Sequence, residues 1–170
     1  MQVRFNHMEL TVPIGMLKEE RENLKAFYGE IFGFTGIEVP MVNLDVPDKF
    51  LLGTDMEFSQ FLFLAEDKTP LQPESYDHMG FLVDKWQDVD ETLEKVREFQ
   101  KRDPRVKLMH EDSDFEAGPV LTHFYYFHYL LPIWFDVQYL DFKEGMKPQK
   151  VWTYGDRKEE SKEEPILARA

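Results

Sequence analysis

One short pattern occurs twice in this chain, as Phe5-Asn-His-Met-Glu-Leu-Thr-Val12 and again as Tyr76-Asp-His-Met-Gly-Phe-Leu-Val83. The two copies place His-Met at the same point, 71 residues apart. Polar and apolar side chains alternate through each copy, which is typical of a strand with one buried face. A pattern that recurs at this spacing predicts two similar structural units joined in one chain.

Each copy is followed by apolar residues at helical spacing. The first run ends at Gly33 and the second at Asp103-Pro104, residues that commonly end helices. Three further strand-like segments follow each helix: 37–39, 50–53 and 59–65 in the first half, and 106–110, 121–128 and 134–140 in the second. Both halves therefore predict the order βαβββ and an α+β fold. We expect the acidic stretch 111–116 to be a solvated loop.

Composition limits the functions that this chain can have. It has 170 residues, of which 33 are acidic and 20 basic, so its net charge is −13, and it has no cysteine. Such a charge disfavours nucleic acid and anionic membranes as partners, and the missing thiols exclude disulfides and thiolate metal sites. With no apolar run long enough for a membrane helix and no signal peptide, we expect a cytoplasmic protein. We assign residues 1–145 to one domain and 146–170 to a C-terminal extension.

Two histidines and one aspartate are the strongest candidates for a metal site. Strand alternation puts His7 and His78 on the sheet faces that do not pack against the helices, at equivalent points of the two halves. Asp136, in the last strand, has the same orientation. Two imidazoles and a carboxylate suit Fe(II), Mn(II), Zn(II) or Ni(II) and leave coordination positions open for a substrate.

The sequence resembles the vicinal oxygen chelate superfamily, which includes glyoxalase I, fosfomycin and bleomycin resistance proteins and type I extradiol dioxygenases. The resemblance covers about residues 3–142. It rests on five segments: Asn6–Leu10, Ala26–Phe34, Asp77–Phe81, Phe124–Phe127 and Phe135–Val137. It implies two modules, 3–66 and 76–142, with mixed sheets that curl into a cup and helices on the convex side. It also implies one divalent metal held by His7, His78 and Asp136.

Three departures from the family pattern refine this resemblance. Most relatives have Glu where this chain has Asp136, and their Asp-Pro-Asp-Gly turn is replaced here by Tyr129–Pro132. Glyoxalase I enzymes carry a fourth, carboxylate ligand at the position of Phe63, and a phenyl ring cannot bind a metal. The site therefore resembles the three-ligand branch, which includes extradiol dioxygenases and fosfomycin-type transferases.

Three further polar side chains are candidates for catalysis. Tyr126 lies ten residues before Asp136, where extradiol enzymes place a tyrosine that hydrogen-bonds the substrate oxygen, although a packing role is equally compatible with this aromatic run. Glu9 shares a strand face with His7 and is a candidate base, or a partner for an imidazole. His128 is a candidate acid or base. His110 and His123 have no supporting constellation.

The favoured function is that of a small extradiol dioxygenase-like enzyme with Fe(II), acting on an apolar or aromatic substrate with vicinal oxygens. Five aromatic residues are expected to line its cup and bind substrate: Phe5, Phe61, Phe63, Phe124 and Trp134. The alternatives are a lactoylglutathione lyase-like enzyme of the glyoxalase I type, for which Glu9 would supply the fourth carboxylate, and a metal-free, ligand-sequestering resistance protein. A fosfomycin-type transferase ranks lower because the cup-facing strand positions offer no Lys or Arg for a phosphonate. The resemblance also implies a homodimer, with the cup completed by the partner chain in many relatives.

Overall fold

A computed structural model describes residues 5–38, 48–55 and 59–146, apart from the side chain of Asp112. The first half contains β1 (His7–Pro13), α1 (Met16–Phe32), β2 (Thr35–Glu38), β3 (Lys49–Gly53) and β4 (Phe61–Asp67). The second half contains β5 (His78–Leu82), α2 (Trp86–Arg102), β6 (Lys107–Ala117), β7 (Val120–His128) and β8 (Trp134–Phe142). Nearly all of the predicted C-terminal extension lies outside the described residues, as does Val39 of a predicted strand.

The two halves have the same topology. The first sheet has the strand order β1-β4-β3-β2 and the second has β5-β8-β7-β6. In each sheet the first and last strands of the half are parallel neighbours, and the other neighbouring pairs are antiparallel. The predicted α+β fold of two βαβββ modules is thereby confirmed, with two open mixed sheets of the kind that form a cup.

Helix α1 begins and ends where the sequence provides suitable groups. The buried carboxylate of Glu66, on β4, accepts a hydrogen bond from the Leu17 amide at 2.9 Å, which satisfies one of the free N–H groups at the helix start. Gly33 ends the helix with φ 71°, a conformation that disfavours a side chain. None of the helices in the described part of the chain is long and apolar enough to cross a membrane.

Both modules contribute to one core through helix α1. The ring of Phe27 lies 4.4 Å from that of Tyr129, and the Tyr28 ring lies 6.0 Å from Phe135 on β8. The Tyr28 hydroxyl also donates to the Tyr129 carbonyl oxygen at 3.3 Å. This core occupies the helix side of both sheets. We call the opposite faces of the two sheets the cup faces.

The predicted acidic loop at 111–116 is wrong, because these residues belong to β6. This edge strand pairs with β7 from Lys107 to Ala117, with a bulge between Met109 and Ser113. Acidic side chains are compatible with a strand here because an antiparallel edge strand keeps them in water. The hydrogen bonds come from β7, so local composition does not reveal this strand.

His123, which had no partners in the sequence reasoning, lies in a polar cluster on the helix side. It is 6% exposed and stacks on Trp86 with a ring-centroid distance of 4.0 Å. Its Nδ1 and Nε2 lie 2.7 Å and 2.9 Å from carboxylate oxygens of Asp114 and Asp90. Desolvation lowers the pKa of His123, but these two carboxylates outweigh it and the net shift is upward. The cluster joins α2, β6 and β7.

Candidate metal and substrate site

The cup face of the second sheet brings His78 and Asp136 together. Asp136 pairs in register with Gly80, two residues after His78 on the neighbouring strand. The Asp136 side chain is 6% exposed, and its Oδ1 makes no hydrogen bond to another described residue. Burial raises the pKa of this carboxyl group, and His78 and the residue's own backbone amide offset part of the rise. A buried carboxylate oxygen without a partner next to an imidazole suits a cation.

Gly80 leaves the space that the Asp136 carboxylate occupies. A Cβ atom at position 80 would lie 2.8 Å from Asp136 Oδ1 and 2.7 Å from Gln138 Nε2, both below van der Waals contact. The second copy of the repeat therefore has glycine where the first has Glu9, since any side chain would displace the aspartate.

Both repeat histidines are oriented by oxygen atoms from neighbouring residues. Nδ1 of His7 lies 2.9 Å from Asn6 Oδ1, and Nδ1 of His78 lies 3.0 Å from the carbonyl oxygen of Tyr76. Asn6 also donates through Nδ2 to the Ser59 carbonyl, which fixes its amide orientation. Because these oxygens can only accept, each Nδ1 is a donor, and in the neutral imidazole the lone pair is then on Nε2. Two histidines with Nε2 as the candidate ligand atom, and an Asp136 oxygen without a hydrogen-bond partner in the described part of the chain, fit the donor set of a divalent metal.

The first sheet presents a different arrangement at the equivalent position. His7 stacks on Phe61, with ring centroids 5.0 Å apart and planes 5° apart. Glu9 pairs in register with Phe63, just as Gly80 pairs with Asp136 in the second sheet. The carboxylate of this pair is therefore on the first strand in one module and on the last strand in the other.

One chain does not assemble the predicted triad of His7, His78 and Asp136. Within residues 5–38, 48–55 and 59–146, no three His, Asp or Glu side chains lie close enough to hold one metal ion. His7 and His78 line a cavity of about 800 Å³ that involves β1 and β5, whereas Asp136 is not among its lining residues. The described chain thus brings two candidate ligands, His78 and Asp136, together on the second sheet, which we call the half-site, and places the third candidate, His7, separately on the first.

Tyr126 lies at the centre of the second cup face. It pairs in register with Asp136, and its ring centroid is 5.1 Å from that of His78 and 5.6 Å from that of Tyr76. Burial raises the pKa of Tyr126 to about 12, with further contributions from Asp136 and Tyr76. The phenol therefore remains protonated at neutral pH and can donate a hydrogen bond beside the half-site.

His128 lies on the same cup face, two residues after Tyr126 on β7. Its ring centroid is 5.4 Å from that of Trp134, and its buried Nδ1 makes no hydrogen bond to another described residue. Burial lowers the pKa of His128, and the Lys107 ammonium lowers it further. The imidazole is therefore neutral at pH 7 and able to accept a proton.

The predicted aromatic lining is spread over both sheets. Phe61 and Phe63 lie on β4, Phe124 lies 5.6 Å from Tyr126, and Trp134 contacts His128, whereas Phe5 is 90% exposed ahead of β1. These residues lie on three strands and one preceding segment, so no single wall is formed within the described chain.

The expectation that the cup faces carry no cationic side chain is wrong. Lys49 places its Nζ 5.1 Å from the centroid of the Phe63 ring. Lys107 pairs in register with His128, so both lie on one side of the sheet. Lys49 precedes the predicted start of β3, and Lys107 lies inside the predicted strand 106–110, to which the alternation argument was not applied. The argument against an anionic substrate is thereby removed.

His110 is a cup-face residue that the sequence reasoning missed. Its ring centroid lies 5.7 Å from Tyr126 and 6.3 Å from Phe124. The bulge after Met109 breaks the strand alternation, so its orientation could not be derived from spacing. The available signal was a histidine at the start of a polar stretch, which by itself indicates no site.

Comparisons with known proteins establish the fold. No family model and no curated protein matches the sequence. Among solved structures, a glyoxalase family protein from Bacillus anthracis is 18% identical, with a TM-score of 0.56 over 83% of this chain and 98% of that one. FosX, a fosfomycin resistance protein from Listeria monocytogenes solved with Mn(II) and sulfate, is 17% identical, with a TM-score of 0.55 over 82% of this chain and 91% of that one. The fold of this chain is therefore the one seen in these glyoxalase family and fosfomycin resistance structures.

Proposed function

We propose that this chain with a vicinal oxygen chelate fold is a metal-dependent, extradiol dioxygenase-like enzyme whose site is completed across a homodimer. The observation that carries the proposal is the second cup face, where Asp136 Oδ1 has no hydrogen-bond partner among the described residues and lies beside His78 and Tyr126. His7 from the other chain would supply the third ligand. Phe63 at the position equivalent to Asp136 keeps the ligand set at three.

The exposed apolar residues beside the edge strands support a second copy of the chain as the missing component. Phe5 is 90% exposed next to β1, and Tyr76 and Leu82 are 48% and 64% exposed at the two ends of β5. Both edge strands lack a neighbour on one side within the described sheets. A symmetric dimer would cover these edges and place a first-sheet cup face opposite a second-sheet cup face.

In extradiol cleavage both atoms of O2 enter the diol and the C–C bond beside the two hydroxyls breaks, so no further reductant is needed. A bound Fe(II) supplies the Lewis acidity and redox capacity for this reaction. Tyr126 would donate its phenol proton as a hydrogen bond to a diol oxygen, and neutral His128 would accept a proton from the second hydroxyl. The aromatic side chains on both sheets, including Phe61, Phe124 and Trp134, would exclude water from an aromatic ring.

Metal content of two single variants and of their mixture tests the shared site. We expect His7→Ala and Asp136→Ala each to lose the metal on their own. When the two are refolded together, about half of the dimers are mixed, and each mixed dimer has one intact site, so about a quarter of the wild-type metal should return. Mixing His78→Ala with Asp136→Ala is the matched control, because both changes damage the same half-site and no metal should return.

The outcomes of this experiment are distinct. Full metal content in His7→Ala would exclude His7 as a ligand. Loss of metal in both variants without recovery in the mixture would place all three ligands in one chain. Anaerobic loading with Fe(II), followed by air and a panel of catechols, then tests the reaction, because ring fission gives a coloured product.

A glyoxalase I-type lyase is the second candidate, and the register of Glu9 with Phe63 favours it. Glu9 would place a carboxylate beside the first-sheet histidine and could serve as a fourth ligand or base. Its test is Glu9→Gln. This candidate would be established if the variant loses metal affinity and the wild-type protein turns over a glutathione hemithioacetal but not catechols. Binding of ligand by a metal-free wild-type protein without turnover would instead indicate a resistance-type binding protein.

A further inference from the structure

His110 has an unusual backbone conformation for an exposed side chain. Its φ is 55°, in the left-handed region, and Leu130 is the other non-glycine residue with positive φ in the described part of the chain. Leu130 is partly buried against the core, so its packing offsets the cost. Histidine enters this region more readily than most residues, yet a side chain there still costs more than glycine. The exposed His110 has no comparable burial to offset that cost.

His110 adopts this conformation within the bulge of β6. It lies between Met109, which pairs with Tyr126, and Ser113, which pairs with Phe124. The imidazole of His110 contacts the rings of both partner residues on the cup face. Tyr126 on β7 therefore has an imidazole on both sides: His110 lies towards β6 and His78 lies towards β5. Bulges commonly redirect a side chain in this way next to binding sites.

We propose that His110 is a substrate-binding residue that contacts the polar edge of an aromatic diol lying against Tyr126 and Phe124. Its imidazole would hydrogen-bond an oxygen of the ligand from the β6 side, opposite the half-site of His78 and Asp136. The strained backbone conformation is retained because it aims this ring across the cup face. This inference deepens the proposed function and rests on its substrate class.

Two variants separate ligand binding from backbone strain. His110→Gly and His110→Ala both remove the imidazole, but only glycine relieves the positive φ. We expect both to weaken the binding of catechol about tenfold, as measured by quenching of tryptophan fluorescence in the metal-free and metal-loaded dimers. We also expect His110→Gly to melt about 2–4 °C above His110→Ala, with a Tm at or above that of the wild type.

Each outcome decides a specific point. Wild-type catechol affinity in both variants would overturn the inference and leave the proposed function intact. A Tm of His110→Gly below that of His110→Ala would show that the conformation carries no strain and would also overturn it. Wild-type protein that holds metal but binds no catechol would overturn the inference together with the diol substrate. If the wild-type protein holds no metal, and both variants still bind catechol more weakly than it does, the inference is supported while the metal-dependent function fails.

Discussion

Replacing Gly80 by alanine is the sharpest test of the half-site, because the change is one methyl group aimed at the candidate ligand. Gly80 does not have positive φ, so alanine fits the backbone. The new Cβ would lie 2.8 Å from Asp136 Oδ1, and ordinary contact begins near 3.4 Å, so the carboxylate must move by about 0.6 Å. Metal–ligand distances are held to within about 0.2 Å, so this shift exceeds the tolerance of a metal site. We expect a fall in metal affinity of about 10–100-fold.

The assay is a competitive titration with a metal chelator, combined with thermal unfolding of the metal-free protein. The other contact of the new methyl, Gln138 Nε2, is the end of a flexible side chain and can move aside. Metal-free stability should therefore change by less than about 1 kcal/mol. Wild-type metal affinity in Gly80→Ala, with the protein folded, would refute the assignment of Asp136 as a ligand.

Gly36→Ala is the matched control for steric insertion in a strand. Its Cβ would lie 2.6 Å from Cζ of Phe50, a fully buried core residue. Overpacking at a core site typically costs about 1–3 kcal/mol, so this variant should lose stability. Its folded fraction should retain wild-type metal affinity, because the change is in the core and not on the second cup face.

Three further predictions concern separate parts of the molecule. The raised pKa of His123 means that its stabilising contribution is complete below about pH 6.5 and is lost as pH rises through the folded-state value, so His123→Gln should destabilise the protein more at pH 6 than at pH 9 in urea unfolding. Glu66→Ala removes the acceptor for the Leu17 amide and should cost about 1–2 kcal/mol in the same assay, whereas Glu66→Gln should cost less because it keeps an oxygen acceptor. Tyr126→Phe should slow ring cleavage about 10–100-fold without loss of metal, and an unchanged rate would return Tyr126 to a packing role.

Most of the fold could be predicted from the sequence because both modules follow strong local patterns. The repeated His-Met strand, the helical spacing that ends at Gly33 and the apolar β7 and β8 all lie where the pattern predicts them. Strand β6 could not be predicted to its full length, since its residues 111–116 are acidic and its hydrogen bonds come from β7. The signal for that strand is in its partner and not in its own composition.

The candidate site was predictable where alternation holds and not where it fails. Alternation correctly places His78, Asp136 and Tyr126 on one face. It could not place His110, because a bulge breaks the period there. It also could not show that His7 lies outside the cluster, because the relation between two sheets depends on the packing of α1 into a shared core and not on any strand period.

The separation of His7 from the other two candidate ligands has a thermodynamic consequence. If no single chain holds three ligands, then metal affinity and subunit association are linked, and each must strengthen the other by the same free energy. Dilution would release the ion even at a fixed free metal concentration, and added metal would shift the association equilibrium toward dimer. Metal content in such a protein would therefore depend on how much of the protein a cell makes, as well as on how much metal it contains.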